Sequence, residues 1–331
     1  KDIYESCLRR ETRLDETEQL QVSFAQTQSP LSSGVLTREN NRAGTLGGIE
    51  EFPEIEDSNR YKFPPISMDE RCDRFKPIAK STIQANLLAV NYLESLGQLA
   101  GEQRVSLNQS LTDLGSAITN LNPTFEQAKI PVKINSDYVK AGENIVSFLV
   151  DNFFVKPVQR ESLKSIMVCQ DENFQNYTLL LNQIVQNAYL DSLLESEKGG
   201  LYRYFEERFQ QAPIRYRNNM QEFPNEIQTI TQQYAQEKAQ LNSRKEQAET
   251  YIALLSLTAQ NHHKLAMILG DNINKKAIQS FCPQNWIPTT IEISQNLEPP
   301  SQEQLKEAEK VLDNYLKEAK PLVAKLNQKV P

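Results

Sequence analysis

This chain contains two long stretches that lack both glycine and proline, the two residues that break helices, and these stretches limit its possible folds more than any other feature does. Glycine is absent from residues 143–198 and 201–269, and proline is absent from 158–212 and 225–282. Inside a helix, glycine costs about 1 kcal/mol and proline about 3 kcal/mol, so such stretches are typical of long helices. The sequence therefore predicts an all-α protein.

Composition and charge exclude several other classes of protein. Only 11 of the 331 residues are glycine, well below the usual share of about 7%, which argues against turn-rich sandwiches and glycine-loop nucleotide folds. The net charge of −7 argues against nucleic acid as a partner. No segment reaches the roughly 18 consecutive apolar residues of a helix that stably spans a membrane.

The segment 225–269 carries a coiled-coil seam with alternating steps of four and three residues. From Ala248 onward the seam is apolar except at His262. At about 1.5 Å per residue, the helix would be roughly 65 Å long. The pattern predicts an elongated antiparallel helical bundle with long coiled-coil-like helices. The first half of the seam is weaker because three of its positions are polar, namely Thr231, Lys238 and Lys245.

Two segments depart from the helical pattern. Residues 1–75 combine a polar, glycine-bearing stretch with an acidic, proline-containing one, which is typical of an extended or partly ordered N-terminal arm. Residues 271–300 hold four prolines and the single tryptophan, Trp286, and predict a small non-helical insertion. The remainder, within 76–331, is predicted to form one helical bundle that the insertion interrupts before the last helix.

The last helix has a recognisable start. Ser301 and Gln304 have the spacing of a capping box, in which each side chain bonds to the backbone N–H of the other residue. Glutamates crowd its first half and lysines its second half, as the helix dipole favours. Pro321 is expected to kink this helix or to end it early.

Four widely spaced cysteines form no CxxC metal or redox motif. They allow three sets of two disulfides. We favour Cys7–Cys72, which would tie the arm to the first strong helix, and Cys169–Cys282, which would tie the insertion to a long helix. This pairing indicates export to the periplasm, the cell surface or the extracellular space. The alternative is a cytoplasmic protein with four reduced thiols.

Residue types that carry catalysis are scarce. The two histidines, His262 and His263, are adjacent and would point about 100° apart on a helix, so they cannot chelate one metal as an i, i+4 pair would. GxSxG, P-loop and GxGxxG motifs are missing. The sequence therefore predicts no catalytic residues, no cofactor and no metal site. His262 is interpreted as a hydrogen-bonded core residue, with a pH-sensitive or metal-binding role as the alternative.

The most unusual local composition, rich in aromatic residues and arginine, lies at 201–223, between the two longest predicted helices. Gly199 and Gly200 are expected to interrupt the first of these helices. Tyrosine and arginine are enriched in the hot spots of interfaces. We expect this segment to flank the turn of a hairpin and to bind a protein partner, unless its aromatic rings close the bundle core. The candidate contact residues are Tyr202, Arg203, Tyr204, Arg208, Phe209, Arg215, Tyr216 and Arg217.

The function favoured by these patterns is a non-enzymatic interaction or structural protein. The most apolar run, 145–155, is too short to span a bilayer as one helix. It is either a buried core helix or part of a membrane-active, pore-forming-like protein, which is the first alternative function. An enzyme with an unrecognised site is the second. The oligomeric state is left open.

Overall fold

The computed structural model describes Cys7, Cys72, Cys282 and residues 75–100, 111–130, 132–149, 163–217, 219–270 and 300–328. In these residues every regular element is helical, so the predicted all-α class is confirmed. The elements are α1 (Lys76–Ala100), α2 (Leu111–Thr119), α3 (Leu121–Gln127), α4 (Ser136–Leu149), α5 (Leu163–Gln183), a π-helical segment (Ile184–Leu194), α6 (Glu195–Arg215), α7 (Phe223–Gly270) and α8 (Gln302–Leu326). Apart from its few described residues, the predicted arm at 1–75 lies outside this range, and so does the predicted insertion at 271–300.

The chain divides into two compact units. One unit, here called the body, contains the described residues of 74–195 and 240–331. The other, here called the hairpin unit, contains the described residues of 196–239, and Cys7 and Cys72 also belong to it. The predicted long helix corresponds to α7, whose 48 residues contribute to both units.

In the body, α4 packs along α5, α1 packs against both of them, and α2 packs against α1 and α4. The largest fully buried side chains of this core include Tyr92, Tyr177, Phe125, Phe174 and Ile145. The fully buried Tyr177 hydroxyl donates a hydrogen bond to the Ala85 carbonyl oxygen at 2.6 Å. An unsatisfied buried hydroxyl is costly, so this bond fixes the position of α5 against α1.

A glycine permits the close contact between α4 and α5. A Cβ atom on Gly142 would lie 2.7 Å from the Tyr177 ring and 3.1 Å from the Ile118 side chain. Cβ atoms do not approach other carbons this closely, because the core is already packed near its maximum density. Gly142 therefore lets the Tyr177 ring lie directly against the α4 backbone.

The body portion of α7 is antiparallel to α8. The Gln304 amide donates to the Ile268 carbonyl oxygen at 2.8 Å, and the hydroxyls of Thr258 and Tyr315 lie 3.1 Å apart. Farther along, Lys325 Nζ lies 2.6 Å from a carboxylate oxygen of Glu246. Residues late in α8 thus meet residues earlier in this part of α7.

The start of α8 is as predicted, and of the two effects expected of Pro321 the early end does not occur. Both hydrogen bonds of the Ser301–Gln304 capping box are present. The helix continues through Pro321 to Leu326 instead of ending early. Pro321 and Lys317 are exposed, so water can bond to the Lys317 carbonyl that proline leaves without its helical N–H partner.

The helix break predicted at Gly199 and Gly200 is wrong, since α6 runs through both residues. Each glycine costs the helix about 1 kcal/mol. The neighbouring side chains of Leu201 and Phe205 are fully buried, and burying them stabilises the helix by about 1.5–3 kcal/mol each. Packing therefore outweighs local propensity here.

All four cysteines form disulfides, and both pairings are those predicted. Cys7 is bonded to Cys72, with a Cα–Cα distance of 5.7 Å, and Cys169 to Cys282, with 5.3 Å. The second bond links residues 113 positions apart. Closing so long a loop removes much conformational freedom from the unfolded chain.

Candidate functional site

The segment with the unusual aromatic and arginine content forms the end of a helical hairpin. It comprises the latter part of α6 and the turn before α7. Backbone hydrogen bonds close this turn, from Tyr216 N to Ala212 O at 3.1 Å and from Asn219 N to Tyr216 O at 2.9 Å. This segment therefore lies at a hairpin turn, as predicted.

Arg208 joins the two helices of the hairpin unit. Its guanidinium donates to Gln233 and lies 3.4 Å from a carboxylate oxygen of Glu226. The same group lies over the rings of Tyr204 and Phe205, at 5.7 and 5.9 Å from their centroids. These contacts occupy Arg208 within the hairpin, so it supports the contact surface rather than forming part of it.

Aromatic packing continues along the hairpin. The ring of Tyr234, on α7, lies 6.0 Å from that of Tyr202 and 5.4 Å from that of Phe205, centroid to centroid. The Tyr216 hydroxyl lies 3.5 Å from a carboxylate oxygen of Glu226. The tyrosines in these pairs are half-buried. Part of the predicted set thus closes the hairpin's own core, as the alternative interpretation expects.

The remaining arginines of the predicted set face solvent. Arg203, Arg215 and Arg217 are exposed, whereas Phe209 is half-buried. Arg203 precedes Ile214 by eleven residues, about three helical turns, so both lie on one face of α6. The predicted set therefore divides into packed residues, which are the aromatic ones and Arg208, and three exposed arginines.

Two apolar residues at the turn were missed by the sequence analysis. Ile214 is 47% exposed and Met220 is 63% exposed. They flank Arg215 and Arg217, and these four residues are here called the tip surface. Isolated apolar residues around a turn follow no helical period, so the sequence carries no signal that identifies them as exposed.

The body contains a second polar cluster, formed by three helices. His262 Nδ1 lies 2.9 Å from Asp171 Oδ1, and His263 Nδ1 lies 2.6 Å from Asp171 Oδ2. The Tyr92 hydroxyl lies 3.0 Å from His262 Nε2. The Gln175 amide donates to Asp171 Oδ1 at 3.2 Å. One carboxylate from α5 thus binds both histidines of α7.

These distances determine where the protons lie. An ionised Asp171 accepts hydrogen bonds only, so each histidine Nδ1 carries a proton. The Nε2 atom of a neutral His262 then accepts from the Tyr92 hydroxyl. Both nitrogens of the buried His262 ring are occupied, which leaves neither for a substrate or a metal. His262 is therefore a hydrogen-bonded core residue, as interpreted from the sequence.

Burial and hydrogen bonding shift the acidity of this cluster. Burial alone would raise the pKa of the Asp171 carboxyl, but the hydrogen bonds from His262 and His263 and the electrostatic attraction of these two residues outweigh it, so this pKa lies below its ordinary value. Complete burial, with a smaller contribution from the Asp171 charge, raises the pKa of the Tyr92 hydroxyl well above its ordinary value. At neutral pH the cluster holds a carboxylate and a protonated phenol.

Asp171 was not singled out from the sequence. It lies 91 residues from His262, and a carboxylate in an acidic chain has no local pattern that assigns it a distant partner. The residues described in the structure include no group of three metal-ligating side chains arranged to hold an ion. The hydrogen bonds of the cluster link α1, α5 and α7.

Of the apolar run 145–155, the structure describes the part within α4. There Ile145, Phe148 and Leu149 are buried in the body, and residues 150–155 lie outside the described range. Among the described helices, none combines the length and apolarity needed to cross a membrane.

Comparisons with family models, with curated proteins and with solved structures give no match to this chain.

Proposed function

We propose that this chain is an exported, non-enzymatic helical protein that binds a protein partner through its hairpin unit. The observation that carries this proposal is the tip surface, where two cations and two apolar side chains face solvent around one turn. Interfaces combine such side chains, with arginine and methionine enriched over the rest of a protein surface.

The base of the hairpin supports this role because it is held in one arrangement. Arg208, Glu226 and Tyr216 form a linked polar group beside the turn. A partner binding the tip surface would therefore not have to order a loop first, and binding avoids that entropic cost. In this proposal Arg208 is a positioning residue, and Arg215 and Arg217 are contact residues.

The composition of the turn indicates the kind of partner. Residues 213–221 contain two arginines and no acidic residue. Ile214 and Met220 add apolar area beside those charges. The complementary surface is an acidic protein face that carries an apolar depression. Nucleic acid fits less well because the whole chain carries a net charge of −7.

Export rests on the disulfides. Two disulfides that include every cysteine of the chain are typical of an oxidising compartment. Chain isolated from its source in the presence of an alkylating reagent should incorporate no alkyl group under denaturing, non-reducing conditions. Labelling of any cysteine there would contradict export and leave the binding proposal to be judged separately.

Site-specific photo-crosslinking tests the binding proposal. A benzoylphenylalanine residue replaces Met220 in one variant, and the exposed Leu179 of α5 in a control variant. Irradiation in the native compartment should give a discrete protein adduct from position 220 and none from position 179. The added substitution Arg215→Glu/Arg217→Glu should remove the adduct, because it reverses both exposed charges.

The same adducts from both positions, or no adduct from position 220, would contradict a binding site at the tip. Circular dichroism of the variants provides the folding control. Both arginines are exposed, so their replacement should leave the helical signal unchanged.

A further inference from the structure

The outer side of α8 carries a row of exposed apolar side chains. Leu305, Leu312, Leu316 and Val323 are each 42–52% exposed. Their spacing of seven, four and seven residues places them on one face of the helix. These four residues are here called the α8 stripe.

The stripe is distinct from the side of α8 that packs against α7. Tyr315 and Gln304 point toward α7 and bond to it, and Ala319 is buried. At 100° per residue, these positions lie about 40–100° around the helix from the stripe. The other helices of the described residues expose at most two such large apolar side chains each. A contiguous row of four is typical of an interaction site.

The spacing of the stripe is symmetric about Asn314. Leu305 and Val323 lie nine residues to either side of it, and Leu312 and Leu316 lie two residues to either side. If a second α8 lies antiparallel with its Asn314 opposite this one, every stripe residue meets another stripe residue. Such self-complementarity is what a two-fold symmetric interface requires.

The two halves of α8 differ in the sign of their net charge. Residues 302–313 contain four acidic and two basic residues, whereas 314–326 contain one acidic and three basic residues. Glu309 and Lys320 flank the stripe on its solvent side, five residues before and six residues after Asn314. Both residues lie on the same side of the stripe, so in an antiparallel pair each Glu309 meets Lys320 of the second copy.

We propose that the α8 stripe binds the α8 stripe of a second copy of this chain, antiparallel and centred on Asn314, to form a symmetric homodimer. Leu312 packs on Leu316 of the second copy at the centre, and Leu305 packs on Val323 at either end. Glu309 and Lys320 select the orientation. The α8 stripe belongs to the body and the tip surface to the hairpin unit, so separate substitutions test dimerisation and partner binding.

Sedimentation equilibrium of the full disulfide-bonded chain tests this dimer. The average mass should rise from 37.9 kDa toward twice that value over concentrations of about 1–200 µM. The substitution Leu312→Glu/Leu316→Glu should weaken association by about 100-fold or more, because it places four charges in the apolar centre of the interface. Ile83→Glu, at an exposed position on α1, is the matched control and should leave association unchanged.

A charge-exchange series tests the orientation. Glu309→Lys or Lys320→Glu alone should weaken the dimer about 10-fold, because each creates two like-charge contacts. The double variant Glu309→Lys/Lys320→Glu should restore wild-type association. Both residues are exposed, so this series remains informative even if the leucine variant loses helicity.

A constant mass of 37.9 kDa over the whole range would overturn the proposal. So would a dimer that persists in a folded Leu312→Glu/Leu316→Glu variant, since association would then use another surface. A double charge variant that associates no better than the single variants would overturn the antiparallel arrangement.

Discussion

The body and the hairpin unit use tyrosine in opposite ways. In the body, Tyr92 and Tyr177 are completely buried, and each hydroxyl bonds to a different helix. In the hairpin unit, Tyr202 and Tyr234 are half-buried and pack on each other. A buried hydroxyl must find a protein partner at one position, whereas a half-buried tyrosine can leave its hydroxyl in water and so constrains the position of a helix less strictly. The body is thus the more strictly specified unit.

The two parts of α7 show the same difference along one helix. In the hairpin unit, residues 223–239 bury one side chain, Ile230. In the body, residues 240–270 bury several side chains, including Leu241, Ala248 and Ala259. A continuous helix can therefore be a surface element in one unit and a core element in the other.

The largest expected effect comes from removing the carboxylate that binds both histidines. Asp171→Ala should lower the free energy of unfolding by about 3 kcal/mol, because it leaves the buried His262 without its acceptor. Urea denaturation at pH 7 measures the loss. Asp191→Ala, at an exposed carboxylate that accepts a hydrogen bond from Gln186, is the control and should cost about 0.5 kcal/mol or less. Equal losses in the two variants would mean that the cluster stabilises the body no more than an exposed hydrogen bond does.

A smaller effect is expected from filling the close contact between α4 and α5. Gly142→Ala should lower the free energy of unfolding by about 2 kcal/mol, because the new methyl group clashes with the Tyr177 ring. Gly97→Ala is the matched control in α1, where a Cβ atom meets nothing within 4 Å. It should stabilise the protein by about 0.5–1 kcal/mol through helix propensity. Thermal or urea unfolding of both variants distinguishes packing from propensity, and stabilisation by Gly142→Ala would refute the tight contact.

The smallest effect should be confined to the hairpin unit. Arg208→Ala removes an ion pair and two ring contacts, and should cost about 1 kcal/mol of local stability. Hydrogen exchange should then quicken at amides of α6 and of residues 223–239, while the amides of α4 and α5 keep their protection. Arg203→Ala, at an exposed arginine of the same helix, should change neither set. Faster exchange throughout the body would show that the two units do not respond independently.

Much of this architecture was predictable because its causes are local. Breaker-free stretches predicted α7, and the Ser301–Gln304 spacing predicted the start of α8. The polar seam positions Thr231 and Lys238 predicted the sparse burial of the first part of α7. The disulfide pairing was predictable from which segments each cysteine would tie together.

The errors and omissions share one origin, which is that tertiary packing decided each of these features. Gly199 and Gly200 are poor helix formers, but burial of their neighbours keeps them helical. Ile214 and Met220 are ordinary apolar residues, and only the arrangement of the turn exposes them. Asp171 resembles any other carboxylate of an acidic chain until α5 brings it to His262.

That this protein is helical follows from its amino-acid sequence alone, because periodicity, breakers and caps act over a few residues and need no knowledge of the rest of the chain. Three features emerge only when the chain is folded: which polar groups meet in the body, which arginines face solvent at the hairpin turn, and which apolar row of α8 is exposed among the described residues. Those outcomes depend on contacts between residues far apart in sequence, where one buried partner changes the energy of another.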